Sequence, residues 1–393
     1  MQRLRRRGAA PPRRIVHLGL GAFARAHLGE YTEDAGEWGI CGVAPRRMDV
    51  VDALAPQGGA YTLVTRGEED RFRVLGAVGE VLHAPSMRSA VVAALADPAV
   101  KVITLTVTEK AYAPGPVVDL LVEGLSARTE PATVLSCDNL PRNGEVLARL
   151  VGDMGGVAQF PCTMVDRVVP ATTDADRAAV ARALGVEDRG AVVAEPFRQW
   201  VIEDFDGERP AWDALFVASS APHEALKLRL LNGTHSLLAY AGLALGARTV
   251  ADAWADPDLV AAADALAVED LVPTLPPVPG IDVGEYRASL SRRWANPRID
   301  HRLTQIAMDG SKKLPARLSG PAAERLAAGA RPRWIAFAVA CWIEHLRAGE
   351  HVSDPGADLA TALELFPDGL REPVEEWLEA FASHGIRAAL RAG

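Results

Sequence analysis

Four polar side chains lie among leucines in one segment near the middle of the chain: Glu224, Lys227, Asn232 and His235. At about 100° per residue and with Lys227 at zero, an α-helix would place Glu224, Asn232 and His235 near 60°, 140° and 80°. All four would share one arc, spread along roughly 16 Å of helix. A lysine can exchange a proton, an amide can donate to an oxygen that gains charge, and a histidine can hold a hydroxyl. Spacing alone fits the solvated face of an amphipathic helix at least as well.

A glycine-rich turn follows the first predicted strand, Ile15–Leu18, and opens a helix. Gly19 suits a tight turn and Gly21 suits the close approach of backbone to a pyrophosphate. Ala24 stands where the common dinucleotide fingerprint has its third glycine, and it is still small enough for helix–strand packing. The turn predicts a dinucleotide site that includes Gly19, Gly21, Ala22, Phe23 and Arg25, with a glycine-rich turn of an unrelated α/β protein as the alternative.

The segment after the next predicted strand carries both kinds of residue that select a nicotinamide cofactor. Asp49 would bind the ribose hydroxyls and favour NAD, whereas Arg46 or Arg47 would accept a 2′-phosphate and favour NADP. We expect NAD, and the residues leave NADP open.

The order of elements predicts an α/β protein in which a Rossmann-type dinucleotide-binding domain is followed by a mostly α-helical C-terminal domain. The predicted domains are a disordered basic tail at 1–14, the Rossmann-type domain at 15–220 and the helical substrate domain at 221–393. The predicted strands are Ile15–Leu18, Gly39–Val43, Val102–Val107, Thr133–Ser136, Thr163–Val165 and Val192–Glu195. The predicted helices include Met87–Leu95, Val117–Ser126, Glu224–Leu245, Asp252–Leu271 with a break at Pro257, Pro297–Met308, Ala322–Ala328 and Trp334–Ala348.

The composition excludes several classes of function. A formal net charge of −9 argues against a general nucleic-acid binder, and no apolar run approaches the length that crosses a bilayer. The four cysteines are far apart and show no metal-ligand spacing. The arginine-rich start, Met1–Arg14, lacks the apolar core of a secretory signal. We expect a cytoplasmic, metal-independent protein in which Cys41 and Cys137 are buried free thiols.

Long, ordered motifs make the chain resemble the mannitol dehydrogenase family, the polyol-specific long-chain dehydrogenases that include fructuronate reductases. They span roughly residues 15–315. The motifs are GLGAFARAH at 19–27, WGICGV at 38–43, TVTEKAY at 106–112, TVLSCDNLPRNG at 133–144, MVDRVVP at 164–170, AEPFRQWVIED at 194–204, LKLRLLNGTHS at 226–236 and NPRIDHRLTQIAMDGSKKLP at 296–315.

The resemblance implies NAD(P)(H)-dependent hydride transfer without a metal, and it implies roles for individual residues. Lys227 matches the family's general base in alcohol oxidation and general acid in ketone reduction. Asn139 and Asn232 match the pair that polarises the reacting oxygen, His235 the residue that positions substrate hydroxyls, and Glu224 a glutamate that gates proton exit. Asp166 and Arg293 lie in segments that match substrate-binding segments.

Without the family, Asn139 fits a turn before Pro141, and Asp166 with Arg167 fits a surface ion pair. The proton and hydride chemistry can also be argued from the residues without the family. Loss of hydride from a secondary alcohol requires removal of the hydroxyl proton, which Lys227 can accept if burial or a nearby positive charge brings its pKa toward neutrality. Amide donors that stabilise the alkoxide-like oxygen are worth about 3 kcal/mol each.

The chain departs from the family pattern in a shortened connection after Glu109 and a compact end after Pro315. The substrate also stays open. A basic cluster in the C-terminal half would favour an anionic aldonate or sugar phosphate if it faces the site, and a neutral polyol if it faces solvent. The cluster comprises Arg292, Arg293, Arg298, Arg302, Lys312 and Lys313.

The expected activity is the interconversion of a sugar alcohol or aldonate with its 2-ketose or ketouronate, of the mannitol/fructose or mannonate/fructuronate type. The alternatives are a mannitol-1-phosphate/fructose-6-phosphate dehydrogenase and a catalytically inactive dinucleotide-binding protein. Partners are limited to the small-molecule substrate and cofactor, with no nucleic acid and no membrane. The chain would be a monomer or a homodimer.

Overall fold

The computed structural model describes residues 1–108, 111–349 and 353–392, so Glu109 and Lys110, where the connection looks shortened, lie outside the described residues. Contacts divide the chain into two compact units, Met1–Ala221 and Pro222–Gly393. The division falls one residue beyond the boundary predicted from composition. All four cysteines are free and buried, as predicted for Cys41 and Cys137.

The first unit is built from strands and helices that alternate. Its strands are Arg13–Leu18 (β1), Gly39–Ala44 (β2), Tyr61–Arg66 (β3), Asp70–Leu75 (β4), Val78–His83 (β5), Val102–Leu105 (β6), Ala132–Ser136 (β7), Ala158–Gln159 (β8), Thr163–Asp166 (β9), Val192–Ala194 (β10), Gln199–Glu203 (β11) and Leu215–Val217 (β12). Its helices are Ala22–Ala26 (α1), Leu28–Ala35 (α2), Asp49–Leu54 (α3), Arg88–Ala96 (α4), Pro116–Ser126 (α5), Asn143–Val151 (α6) and Asp174–Leu184 (α7).

Six strands form a parallel sheet in the order β5-β2-β1-β6-β7-β8. Its central strands are buried along their length, which explains their continuous apolar runs. The chain order reverses beside β1, because β2 pairs on one side of it and β6 on the other. In open α/β sheets, ligands bind at the carboxyl ends of the strands beside such a switch point. The predicted α/β fold with a Rossmann-type sheet is confirmed.

Two small sheets complete the first unit, one with the order β10-β3-β4 and one with the order β12-β11-β9. The predicted strand set omitted β3, β4, β5, β8, β11 and β12. Charged residues interrupt the apolar runs of β4 and β5, and β4 is largely exposed. Tertiary pairing therefore makes strands of segments whose local patterns are weak.

Apart from an isolated bridge between Thr249 and Arg302, the regular elements in the described part of the second unit are helices. Its α-helices are Ala221–Leu226 (α8), Thr234–Ala244 (α9), Val250–Trp254 (α10), Pro257–Ala265 (α11), Val283–Trp294 (α12), Leu303–Ala307 (α13), Gly310–Leu314 (α14), Gly320–Ala327 (α15), Arg333–Ala348 (α16), Arg371–His384 (α17) and Ile386–Ala392 (α18). Within that part, three segments are π-helical: Lys227–Gly233, Leu266–Leu271 and Pro315–Ser319, named in chain order the first, second and third π segments.

The core of the second unit is organised around α16, in which every residue from Trp334 to Ile343 is buried. Such a helix is apolar all round because neighbouring helices cover every face. Asp270 of the second π segment is buried beside the start of α16. There the amides of Trp334 and Ile335 donate to one oxygen of its carboxylate, at 2.8 and 3.0 Å. That carboxylate caps two of the unpaired N–H groups of the helix.

The prediction of a disordered tail at 1–14 is wrong. Leu4 is buried and its amide donates to the carbonyl of Glu187 at 2.8 Å. The guanidinium of Arg6 donates to the carbonyls of Gly58 and Gly76, each at 2.7 Å. The first strand also begins at Arg13, two residues before the predicted start. These contacts join residues far apart in the chain, so the local composition carried no signal of them.

Two helix predictions also need correction. The segment predicted as a helix from Pro297 to Met308 is helical only over Leu303–Ala307. Before it, the side chain of Asn296 accepts a hydrogen bond from the amide of Arg298 at 3.0 Å, a local turn that competes with helix formation. The long helix predicted over Glu224–Leu245 is interrupted by the first π segment.

Candidate active site

The two glycines of the turn after β1 differ in what they do. Gly19 has a φ of +103°, and a Cβ there would lie 2.1 Å from the carbonyl oxygen of Thr106, the residue after β6. The turn therefore needs glycine for its own fold. At Gly21, φ is −80° and a Cβ would meet nothing closer than the carbonyl oxygen of Gly19, 3.8 Å away. The open space over Gly21 fits the pyrophosphate of a dinucleotide.

The residues that follow Gly21 form α1 and anchor the turn. Phe23 stacks on His27 with ring centroids 5.1 Å apart. Arg25 donates from Nε to the carbonyl of Gly21 at 3.2 Å and from Nη1 to the carbonyl of Gly190, just before β10. Burial lowers the pKa of Arg25. Direct contacts of Ala22, Phe23 and Arg25 with the cofactor stay predictions.

Asp49 is the first residue of α3, beyond the carboxyl end of β2. Both of its carboxylate oxygens accept hydrogen bonds from Arg47, from Nε at 3.2 Å and from Nη2 at 2.7 Å, and both side chains are exposed. The acid that would bind a ribose and an arginine that would bind a 2′-phosphate thus engage each other. This pairing favours neither NAD nor NADP.

The loop that carries Asn139 follows β7 and is fixed by its neighbour Asp138. The carboxylate of Asp138 accepts the amides of Val107 and Thr108, each at 2.9 Å, and the hydroxyl of Tyr112 at 2.8 Å. Thr108 has a φ of +70°, which is rare for a β-branched residue, and these bonds hold it there. The loops after β6 and β7 are thereby joined at the carboxyl edge of the sheet.

Asn143 holds the same loop from its other side. Its buried amide nitrogen donates to the carbonyls of Ser136, Asp138 and Thr163 at 3.1, 3.1 and 2.9 Å. Its amide oxygen accepts the backbone N–H of Thr163 at 2.9 Å. Asn139 itself is exposed on this supported loop. Asn143 was not among the predicted site residues, although the Asn143-Gly144 pair was visible in the motif.

The alternative of a surface ion pair at Asp166 and Arg167 is wrong, because both side chains are buried. Arg167 donates from Nε and Nη2 to the carbonyl of Glu195 at 3.1 and 2.9 Å and also pairs with Glu30. Asp166 ends β9, paired with Gln199 of β11. Its role in substrate binding stays a prediction.

Lys227 begins the first π segment and is buried, with 8% of its surface exposed. In a π-helix the backbone bonds join residues five apart, so residues i and i+5 become neighbours along the axis. Lys227 and Asn232 are five apart. A π turn therefore places residues five apart closer to one face than the 140° separation expected for a regular α-helix. Glu224 is half-buried in α8, one turn before Lys227.

His235 lies in the first turn of α9, and its proton position is determined by Trp294 of α12. The indole Nε1–H of Trp294 donates to Nε2 of His235 at 2.9 Å, and an indole can only donate. Burial, with smaller effects of His301, Arg293 and Arg317, lowers the pKa of His235 well below its usual value. The ring is therefore neutral at physiological pH and carries its hydrogen on Nδ1. A substrate oxygen can accept that hydrogen.

Arg293 precedes Trp294. Burial, with a smaller effect of the positive charge of Arg293, lowers the pKa of His301 to about 4. His301 meets His235 edge to face, with ring centroids 5.2 Å apart. Of the predicted basic cluster, only Arg293 and Lys313 are half-buried. The other members, Arg292, Arg298, Arg302 and Lys312, are exposed.

Arg317 of the third π segment was not among the predicted site residues. Its Nη1 donates to the carbonyl oxygen of Asn232 at 3.3 Å and to the hydroxyl of Ser236 at 2.9 Å. A basic residue just after the KKLP motif was the only sequence signal for it. In the second unit, His235 thus contacts Trp294 and lies near Arg293, and Asn232 contacts Arg317. Lys227 begins the π segment that contains Asn232.

Two family models cover most of the chain: the mannitol dehydrogenase Rossmann domain matches residues 13–214 and the mannitol dehydrogenase C-terminal domain matches residues 220–365. The chain belongs to the mannitol dehydrogenase family. A D-mannonate oxidoreductase of Escherichia coli K12 is 40% identical over 390 residues, covering 84% of this chain and 79% of that protein. A mannitol 2-dehydrogenase of Aspergillus fumigatus is 32% identical and covers 96% of this chain and 85% of its own length.

The fold comparison agrees with the family. The mannitol 2-dehydrogenase of Pseudomonas fluorescens, solved as a ternary complex with NAD and D-mannitol, superposes with a TM-score of 0.86 at 30% identity. The match covers 97% of this chain and 94% of that one. The predicted enzyme class, an oxidoreductase, and the predicted cofactor, NAD, are confirmed at the level of the family.

Among the described residues, no helix combines the length and apolar character needed to cross a membrane. The same part of the chain contains no group of three or more histidine, cysteine, aspartate or glutamate side chains placed to hold a metal ion.

Proposed function

We propose that this enzyme interconverts a sugar alcohol or aldonate with its 2-ketose or ketouronate, with Lys227 as the general base in oxidation and the general acid in reduction. The single observation that carries the proposal is the burial of Lys227 at the start of the first π segment, with Asn232 one π turn away. Burial keeps bulk water from competing for the proton that the lysine exchanges.

The reaction requires three groups on the substrate side. The amine of Lys227 accepts the proton of the reacting hydroxyl as the hydride leaves the same carbon. The amide of Asn232 donates to the oxygen while it carries alkoxide-like charge. The Nδ1–H of neutral His235 donates to a hydroxyl of the substrate and fixes its orientation. NAD bound at the Gly19–Gly21 turn would supply the hydride acceptor.

Names of relatives support the substrate class. One relative is a D-mannonate oxidoreductase, and a solved relative holds D-mannitol together with NAD. The two substrates differ at one end of the molecule, a carboxylate in the first and a hydroxymethyl in the second. Oxidation of either would fit the same lysine, amide and histidine.

The test follows NADH absorbance while the purified enzyme is offered NAD with D-mannonate or D-mannitol. Lys227→Ala should lower kcat by about 100- to 10,000-fold, the range that a positioned general base contributes, while NADH still binds. Lys312→Ala is the matched control, because Lys312 is an exposed lysine of the same unit, and its turnover should stay within twofold of wild type.

Two outcomes would overturn parts of the proposal. Turnover that survives in Lys227→Ala would remove the lysine from the chemistry. We also propose that the reaction needs no metal, because a proton-accepting amine and amide donors act where a metal would otherwise polarise the oxygen. Dialysis against a chelator should therefore leave kcat unchanged, and a loss restored by added zinc would contradict this.

A further inference from the structure

Arg317 is a half-buried cation without an acidic partner among the described residues. Burial lowers its pKa to about 10, with only Tyr240 acting in the opposite direction, so the guanidinium is still a cation at neutral pH. Arg229, another arginine of the second unit, contacts both carboxylate oxygens of Glu324, at 3.0 and 2.8 Å. An unpaired cation withdrawn from bulk water is costly unless a ligand supplies the missing charge.

The guanidinium is engaged on only one side. Nη1 donates to the carbonyl of Asn232 and the hydroxyl of Ser236. The described residues provide no partner for Nε and Nη2, and neither nitrogen is sealed from solvent. These two N–H groups point in parallel along one edge of the planar group, the arrangement that matches the two oxygens of a carboxylate.

The same edge binds carboxylates elsewhere in this molecule. Arg47 uses Nε and Nη2 to contact the two oxygens of Asp49, at 3.2 and 2.7 Å. Arg142 uses the same pair of nitrogens on Glu145. In Arg317 the Nε–Nη2 edge has no hydrogen-bond acceptor among the described residues.

The nearest charged and titratable neighbours of Arg317 include a second arginine, a neutral histidine and a neutral phenol. Arg317 and Arg293 both place positive charge near His235, which is neutral. Burial raises the pKa of Tyr240, whose hydroxyl donates to the carbonyl of Ala307 at 3.0 Å, so this phenol adds no negative charge. Through Asn232, the guanidinium is tied to the residue proposed to polarise the reacting oxygen.

The exposed part of the basic cluster seen in the sequence does not provide this site. Arg302, for example, is exposed and pairs with Asp300 at 3.0 Å. Arg317 lies outside that cluster, in the third π segment.

We propose that the Nε–Nη2 edge of Arg317 binds the carboxylate of a sugar-acid substrate, so that the enzyme selects an aldonate over the neutral polyol of the same length. The inference rests on the proposed function, because it assumes a sugar-derived substrate beside Lys227 and Asn232. It adds the residue that distinguishes an anionic from a neutral substrate.

The experiment compares D-mannonate with D-mannitol in wild type, Arg317→Gln and Arg317→Lys. Loss of a two-bond charged contact should lower kcat/KM for D-mannonate about 100-fold or more in Arg317→Gln. The value for D-mannitol should change less than threefold. Arg317→Lys keeps the charge without the planar edge, so its kcat/KM for D-mannonate should lie between the values of wild type and Arg317→Gln. Arg302→Gln, the matched control, should leave both substrates unaffected.

Binding provides a readout that does not depend on turnover. Calorimetry of the NADH-loaded enzyme should detect D-mannonate binding in wild type and a loss of at least tenfold in affinity in Arg317→Gln, with thermal unfolding used to confirm that the variants are folded. An equal loss for D-mannonate and D-mannitol would overturn the inference, since Arg317 would then only support Asn232. Mannitol 1-phosphate bound more tightly than D-mannonate would also overturn it, in favour of a phosphate.

The two proposals fail in different ways. Absence of turnover with every substrate, together with D-mannonate binding that depends on Arg317, would refute the proposed function and keep the anion site. Turnover that depends on Lys227 without any charge preference would refute the anion site and keep the proposed function.

Discussion

Trp294 determines which nitrogen of His235 can face a substrate. Because the indole donates to Nε2, the remaining hydrogen must be on Nδ1, and protonation of the ring would break the bond. The burial that lowers the pKa of His235 acts in the same direction. Trp294 thus fixes the hydrogen-bonding role of His235 before any substrate binds.

The two glycines of the dinucleotide turn should separate folding from cofactor binding. Gly21→Ala should leave the free energy of unfolding within about 0.5 kcal/mol of wild type, because the new Cβ has ordinary contacts. It should weaken NADH binding at least tenfold, since the methyl would occupy the space for the pyrophosphate. Fluorescence titration with NADH measures the affinity, and urea denaturation measures the stability.

Gly19→Ala is the matched comparison, and its main effect should be on stability. Its Cβ would collide with the carbonyl oxygen of Thr106, so the variant should lose several kcal/mol of stability or fail to fold. Equal losses of stability in the two variants would contradict the distinct roles given to Gly19 and Gly21.

The three π segments are the elements that shape the second unit around Lys227. They pack together at Gly233, where a Cβ would lie 3.3 Å from a methyl of Leu318 and 3.4 Å from a methyl of Leu271. Leu318 belongs to the third π segment and Leu271 to the second. Glycine lets the first segment approach both, and Asn232 is the adjacent residue in the chain.

Gly233→Ala should therefore act on the site through packing. The two leucines must shift by a few tenths of an ångström, which should cost about 1 kcal/mol of stability and lower kcat at least fivefold by displacing Asn232. Gly320→Ala is the control, because its Cβ would meet nothing within 4 Å. Thermal unfolding and steady-state kinetics of both variants check this, and an unchanged kcat in Gly233→Ala would contradict it.

Buried histidines connect the stability of the whole molecule to pH. Burial lowers the pKa of His17 and of His301 to about 4 and that of His235 well below its usual value. In the unfolded chain each would take up its proton near pH 6.5. Between about pH 6.5 and 4 the unfolded state therefore binds more protons, so stability falls as the pH is lowered through this window.

One buried acid works against the histidines. Burial raises the pKa of Asp270 to about 6, so this carboxyl binds its proton first in the folded state and favours folding as the pH falls. Three histidines outweigh one aspartate. We expect the midpoint of thermal unfolding to drop between pH 7.5 and pH 5.

A variant isolates the contribution of one histidine to that pH dependence. His17→Gln should flatten the dependence by up to about 3 kcal/mol between pH 7.5 and pH 4, because each pKa unit corresponds to about 1.4 kcal/mol. The matched control is His384→Gln, at an exposed histidine, which should leave the slope unchanged. A wild-type stability that rises on acidification would contradict the expected direction.

Local sequence signals determined much of this protein. The glycine turn, the alternating elements and the division near residue 220 follow from short-range preferences for turns, strands and helices, which are encoded within a few residues. The family motifs determined the membership that the comparisons confirm. The roles of the site residues stay predictions, because each role is defined by a chemical step that only a measurement of turnover can test.

Only the tertiary structure decided which charges are buried and how the central helix is wound. Arg167 was interpreted as part of a surface pair, yet its partner Glu30 lies 137 residues away in the chain. The segment from Lys227 to Gly233 is wound as a π-helix at a place where the residues favour a regular α-helix. Arg317 gains its position from contacts with Asn232 and Ser236, more than 80 residues earlier. Burial and helix winding depend on packing between distant segments, and a local pattern contains no information about that packing.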